Sequence, residues 1–335
     1  MSVWISIGNL LVLTLLVLFW LSKPNRRLES PNHVSWFTFV AILFTSGLDV
    51  GLIMFPLTEF PVYSDIDANP EYGFANPLSI AFGFWGFLVW GIYFVTCFYF
   101  AVVEPKLRFF EIPLIKNLNN VLILATCAFT AYLLLVNLPW YIPQLEASYV
   151  SSVGFPFIVM VVVLLAVLSS TKLIFLKVLS LSSVGLFFAL ILMMAINAKF
   201  VEANAISVWL TNMLNVSDYF SNISAFVLPV NAYHEFYLYW WFAWSIMIGQ
   251  FTARFVQGMS TNGLLAAMLI FPSLTILAWF SLLYTYFTMD ISTIGFVNTA
   301  MAAVGIVFVV NSLDSLIRLY SDNMGLTVAK LGQFK

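Results

Sequence analysis

Charge is what this sequence has least of: 13 Lys and Arg and 15 Asp and Glu are spread over 335 residues. Only 8% of the chain is charged and 62% is hydrophobic, where a soluble domain carries about 25% charged residues. Such a chain cannot clothe a globule in polar surface, and it belongs in a bilayer. The formal net charge of −2, with no basic stripe to neutralise phosphates, excludes a nucleic-acid partner. The two cysteines, Cys97 and Cys127, lie in apolar runs and form neither a disulfide framework nor a metal site. The two histidines, His33 and His234, are too far apart to make a metal site either. A Gly-rich phosphate loop, a ligand cluster and a G-x-S-x-G elbow are all missing, so no enzyme and no cofactor are expected.

What the chain does have is apolar runs of membrane-crossing length, which for a helix is about 20 residues. Nine spans are expected, at 3–21, 35–56, 78–102, 119–138, 153–170, 180–198, 234–257, 264–287 and 293–317. The first has no basic residue before it and Lys23, Arg26 and Arg27 after it, which reads as a retained anchor rather than a cleaved signal peptide. With the N-terminus outside, the loops 22–34, 103–118, 171–179 and 258–263, the adjoining helix ends and the C-terminus hold 12 of the 13 basic residues, leaving Lys199 opposite. The positive-inside rule then places the C-terminus in the cytoplasm and the chain in the inner or plasma membrane. The loop from Leu57 to Pro77, with Glu59, Asp65, Asp67 and Glu71 and no basic residue, falls outside. In 200–232, Trp209, Leu210, Met213, Leu214, Tyr219 and Phe220 recur at threes and fours, as in an amphipathic helix lying on the outer surface. An ordinary extracellular loop is the alternative. Asn215-Val-Ser and Asn222-Ile-Ser match the glycosylation pattern, a short motif that is frequent by chance.

The densest aromatic stretch runs from Tyr233 to Gly258. Trp240 and Trp244, four apart, share a helix face, whereas Trp241 is turned by about 100°. In the third span Trp90 and Tyr93 are neighbours, with Trp85 about 140° away on a continuous helix. Trp85, Trp90, Tyr93 and Trp241 together are suited to caging a quaternary ammonium group, each ring adding roughly 0.5 to 2 kcal/mol. The alternative is an aromatic belt at headgroup depth. The second span carries Gly47-Leu-Asp49-Val-Gly51, where each glycine weakens a helix by about 1 kcal/mol. Broken helices of this kind line cavities and offer backbone carbonyls to substrate or ions, although glycines also serve close helix packing. A carboxylate at the depth of Asp49 costs at least about 2.5 kcal/mol. It reads as counter-ion or proton carrier, or as a cap on unwound backbone. Ser312 and Asp314 in the last span offer oxygens to a small cation, or else cap the helix end. His234 and Glu235 are expected to be solvated at the interface.

These residues together resemble the betaine/choline/carnitine transporter family. Ser35-Trp36-Phe37, then Gly47 to Gly51 and Glu59, is similar to the family's first broken helix and the acid that follows it. Trp85, Trp90 and Tyr93 stand at the spacing of its box aromatics. The run from Phe236 through Trp240, Trp241, Trp244, Gly249, Phe251, Ala253 and Arg254 to Gly258 is similar to its signature, and Phe308 to Ser315 to its Ser-x-Asp-Ser segment. The resemblance implies an all-α, inverted-repeat secondary transporter for choline, glycine betaine or carnitine. Trp85, Trp90, Tyr93 and Trp241 would form its central box and Trp240 and Trp244 a cytoplasmic-side path. Gly47, Val50 and Gly51 with Asn311 and Ser312 would form the sodium position of sodium-coupled members. On this pattern 35–198 is a first five-helix repeat, 234–317 a truncated second one, 3–21 a peripheral span and 318–335 a cytoplasmic tail. The family has twelve spans, and this chain is expected to cover its second to tenth. Asn311 replaces a threonine of the sodium position, Asp49 replaces a glycine, and the fourth span lacks the family's glycine motif. Coupling to sodium, to protons or to neither stays open; Asp49 would favour choline over a zwitterion. A homotrimer, or another membrane chain covering the side of the missing helices, is implied. The alternative function is a transport-inactive homologue acting as a sensor or as a subunit of a larger complex.

Overall fold

The structure, a computed structural model, describes residues 25–48, 51–141 and 150–326 and scattered positions between 11 and 22. The expected span 3–21 therefore lies largely outside the described residues, as do Lys23, Asp49, Val50, Lys330 and Lys335. The described residues form helices and no strand beyond two isolated bridges. In chain order the main helices are α1 (Trp36–Ser46), α2 (Gly51–Ser64), α3 (Pro77–Trp85), α4 (Phe87–Phe98), α5 (Pro113–Tyr141) and α6 (Val150–Ser169). Then come α7 (Leu173–Val201), α8 (Ala205–Asn215), α9 (Ala232–Thr252), α10 (Thr261–Leu265), α11 (Phe271–Thr288) and α12 (Phe296–Met324).

Every expected span from 35 onward coincides with one helix or with two in succession. Five helical stretches are long and apolar enough to cross a bilayer: Pro77–Leu107, Pro113–Pro139, Leu173–Val201, Thr261–Thr288 and Phe296–Met324. This is an all-α, multi-pass membrane protein. The helix starts are written locally. Ser35, Asn76, Asn231 and Ser260 each cap a helix by accepting from the backbone N–H three residues on, at 2.9 to 3.1 Å. Gly325, left-handed at φ 67°, ends α12.

Of the five stretches, α12 is the most buried and α5 the least. Around α12 packs a knot of Phe44, Phe187 and Phe308, with ring centroids 5.6 to 5.9 Å apart and Trp279 5.3 Å from Phe187. It ties α1, α7, α11 and α12 together. The outer sides of α5, α6 and α7 show Val121, Leu164 and Leu192 more than half exposed, as side chains facing lipid or another apolar chain would be.

The segment expected to be one amphipathic helix is three pieces: α8, a short helix Ser217–Ser221 and a 3-10 turn Ile223–Phe226. The side of α8 that meets the protein mixes Ile206 and Trp209 with Asn212, which donates to Thr285 Oγ1 at 3.0 Å, while Leu210 and Leu214 point outward.

Connections between the helices gather on two opposite faces. On one, the strand-like segment 26–33 pairs with 254–261 (Leu28 N to Met259 O 2.9 Å, Thr261 N to Arg26 O 3.0 Å), and Arg254 binds Asp322. On the other, Asn231 donates to Glu71 and Asp218 accepts from Asn76 N, both within 2.9 Å.

Candidate functional site

Two interruptions in helices build the site. α1 ends at Ser46, and Gly47 and Leu48 leave the helix, with the Gly47 N–H still closing the last turn onto Leu43 O. A Cβ on Gly47 would stand 2.9 Å from Leu43 O and from Tyr93 Cε2 and 3.0 Å from Trp90 Cη2. Only glycine allows the unwound backbone and the two rings to come this close. The Tyr93 hydroxyl donates to Gly47 O at 2.9 Å and Ser312 to Leu48 O at 2.6 Å. Trp279 Nε1 donates to Leu52 O at 2.9 Å on the far side of the gap. The carbonyls of Gly47 and Leu48 are thus taken up by α4 and α12, and that of Leu52, left without a donor because Pro56 has no N–H, by α11.

The second interruption is Gly86, at φ −98° and ψ −134°, between α3 and α4. It corrects the 140° offset expected for Trp85: the span is not one helix, and the break swings Trp85 out of the register of Trp90. The carbonyl of Trp85, released by the break, accepts from Trp90 Nε1 at 3.1 Å.

Trp85, Tyr93 and Trp241 then meet in a corner. The Trp85 and Trp241 rings lie 5.0 Å apart at 75°, and Tyr93 and Trp241 lie 6.3 Å apart at 67°. Trp90 stands behind, 5.0 Å from Tyr93 and stacked at 6.3 Å on Phe44. All four are buried. The indole N–H groups of Trp85 and Trp241 are buried with no hydrogen-bond acceptor. Trp240 and Trp244 do not join the corner. They stack on each other at 5.3 Å, with Phe129 of α5 4.8 Å from Trp240, and so make a separate wall toward α5.

Asn311 is also turned away from the gap. Its amide donates to Ser183 Oγ at 2.6 Å and Ser180 donates to its carbonyl at 3.2 Å, both on α7. Ser312 alone of that pair reaches the unwound segment. Asp314, buried, accepts from Ser169 at 2.9 Å and is paired with Arg318 at 3.3 Å.

Against known proteins, no family model matches the chain. An uncharacterized transporter of Haemophilus influenzae is 27% identical over 311 residues, 80% of this chain and 45% of that protein. The glycine betaine transporter of Acinetobacter baylyi is 25% identical, over 76% of this chain and 43% of its own length. The glycine betaine transporter OpuD of Bacillus subtilis is 25% identical, over 84% and 60%. The chain is a relative of these transporters. It spans about half the length of the curated relatives it matches. The resemblance to betaine/choline/carnitine transporters is borne out, and with it the expectation of a non-enzyme.

Some members of this candidate site escape a reading of spacing alone. Tyr237, one turn before Trp241, sets its ring 6.0 Å from Trp85, and Phe55 of α2 closes the far side of Trp85 at 6.3 Å. The i, i+4 step from Tyr237 to Trp241 was the signal for the first. The second depends on how the chain resumes after the break. Beside the corner, behind Trp241 and Tyr237, an apolar cleft of about 410 Å³ runs between α4 and α9, lined among others by Leu88, Gly91, Val95 and Leu269.

Proposed function

We propose that the chain binds a quaternary ammonium zwitterion of the betaine type in the corner of Trp85, Tyr93 and Trp241, and carries it across the membrane by movement at the two helix breaks. One observation carries the choice of substrate. The ring faces at near right angles suit a trimethylammonium group, and the two acceptorless indole N–H groups beside them suit a carboxylate. A buried donor without a partner costs about 1 to 3 kcal/mol, which a carboxylate in that place would return. The names of the relatives, glycine betaine transporters, agree with this reading and do not favour a transport-inactive homologue. The choline preference inferred from Asp49 concerns a residue outside the described ones, whereas the indole donors favour a zwitterion.

The coupling ion is a proton or sodium. For sodium, Leu48 O and Ser312 Oγ, now bonded to each other, would turn to the ion. The face bearing Arg26, Arg27, Arg254 and Arg318 is cytoplasmic and the face bearing Glu71 and Asp218 is outside. The apolar flank of α5, α6 and α7 packs against a second copy, as in a homotrimer, or against another membrane chain.

Tryptophan fluorescence of the purified protein tests the substrate. Glycine betaine and carnitine should quench saturably, with choline weaker by roughly 10-fold or more, the worth of one charge-assisted hydrogen bond. Trp241→Leu should abolish the response. Equal affinity for choline would remove the role of the indole donors, and no response to any of the three would remove the function.

A further inference from the structure

Glu59 lies on α2, past the end of the expected span 35–56, and its side chain is packed inside the protein with 6% of the residue exposed. Both phenol groups of α9 that reach it, Tyr233 and Tyr237, donate to the same oxygen, Oε1, the second at 2.8 Å. Oε2 is sealed from solvent and has no partner in ordinary hydrogen-bond geometry; the Tyr63 hydroxyl, one turn on, is the further group that interacts with the carboxyl. The remaining titratable groups around it are Tyr63 on its own helix, Tyr72 on the turn Pro70–Tyr72, and Glu71, which is held through Asn231 together with the Tyr72 hydroxyl. His234 follows Tyr233 on α9, and its Nδ1 accepts from Val230 N. Among the described residues no lysine or arginine pairs with Glu59; the ion pairs are Arg108 with Glu111, Arg254 with Asp322 and Arg318 with Asp314.

A carboxylate sealed in this way among neutral hydroxyls, with no cation paired to it, is poorly compensated as an anion. With Oε2 closed to solvent, what it takes is a proton and not a hydrated metal ion. A route for that proton exists. Tyr233 is 42% exposed, and its hydroxyl touches both Glu59 Oε1 and, at 3.1 Å, the Tyr237 hydroxyl. The position is equally telling. Glu59 stands on the helix that resumes after the unwound segment, and its partners stand on the helix that carries Trp241, with Tyr237 one turn from that indole. α2 and α9 meet here through these side chains, beside the aromatic corner that Trp241 helps to form.

We propose that Glu59 is a proton-binding site that latches α2 to α9: it is neutral while the two helices are packed together, and it ionises when they separate and admit water. Closure over the corner therefore takes up a proton from the face that carries Glu71, and by linkage acid favours the closed form. This rests on the proposed transport function for its coupling role, but not for the site itself.

Infrared difference spectra of the purified protein, recorded from acid to alkaline pH, read the site without any substrate. The wild-type spectrum minus that of Glu59→Gln should show one protonated-carboxyl band that bleaches as the pH rises, the other carboxyl groups cancelling. Tyr237→Phe keeps the ring and removes one donor to the anion, so the midpoint of the same band should move by about one pH unit toward alkaline pH. In unbuffered solution, betaine addition should take up about one proton per bound molecule in the wild type. In Glu59→Gln fluorescence quenching should persist and the uptake vanish. No titrating carboxyl band in that wild-type-minus-Glu59→Gln difference overturns the site. Quenching without proton uptake in the wild type overturns the coupling. Loss of quenching in every protein would instead sink the proposed substrate, while the infrared result would still decide Glu59.

Discussion

Gly47 is the residue on which the aromatic corner depends most directly. Gly47→Ala adds a methyl 2.9 Å from Tyr93 Cε2 and Leu43 O and 3.0 Å from Trp90. Backbone on one side and two fully buried rings on the other leave the neighbours little room to give. Overpacking of this kind costs about 1 to 3 kcal/mol, so a thermal unfolding scan should show Gly47→Ala less stable, with betaine quenching weakened as Tyr93 is pushed off Gly47 O. Ser312→Ala makes a smaller change: it removes one hydrogen bond and leaves Leu48 O unserved, for a loss of about 1 to 3 kcal/mol. If sodium uses that carbonyl and hydroxyl, any sodium dependence of betaine binding should vanish in the same variant. At this scale much was legible in the sequence. The glycine at 47 marked where α1 ends, and Trp85, Trp90 and Tyr93, singled out by spacing, do lie close together. The angle between Trp85 and Trp90 was not legible, because Gly86 breaks the helix and a helical wheel assumes that it continues. The side Asn311 would choose was equally hidden, since Ser180 and Ser183, which bind it, are more than a hundred residues away in the chain.

Between elements, the strongest single tie to α12 is the group of Asp314, Arg318 and the end of α6. The Arg318 guanidinium donates to Asp314 and to the carbonyls of Ser169 and Lys172, all at 3.1 to 3.3 Å, and the Ser169 hydroxyl serves the other oxygen of Asp314. The aspartate side chain is wholly buried and the arginine 13% exposed. Removing one partner leaves the other charge buried and alone, which costs about 3 to 5 kcal/mol. Arg318→Leu should accordingly lower the unfolding temperature sharply. Asp314→Asn combined with Arg318→Leu should recover part of that loss, because the orphaned charge is gone; simple additivity of the two single losses would show that they are not coupled. The sequence offered Asp314 as a cation ligand or a cap, and did not show Arg318 one turn away swinging back onto the end of α6. Helix starts were legible for the opposite reason: a Ser or Asn cap bonds three residues on and needs no knowledge of the rest of the fold.

For the whole molecule, the distribution of charge and the contacts between loops are independent observations that agree. Basic residues were divided between the two sides of the membrane by counting spans. In the structure, the loops assigned to one side bind one another: 26–33 lies along 254–261, Arg27 Nη1 donates to Gly258 O at 2.7 Å, and Asn120 accepts from Asn323 at 3.2 Å. Loops assigned to the other side do the same, through Asn76, Asp218, Glu71 and Asn231. These pairings join residues up to 235 positions apart, as Arg26 and Thr261 are, so no local pattern contains them, yet a miscount of one span would have set partners on opposite faces. Which face meets the cytoplasm is a matter of charge, and it can be measured in intact cells with a membrane-impermeant thiol reagent. The background must first be cleared, since Cys127 is only partly buried; Cys97 is fully buried and unreactive to such a reagent. In a Cys127→Ser background, Asp67→Cys on the Glu71 face should label before lysis, and Lys106→Cys on the arginine-bearing face only after it. The reverse order would invert the protein in the membrane and move the Glu59 latch to the cytoplasmic side, so that its proton would be drawn from inside the cell.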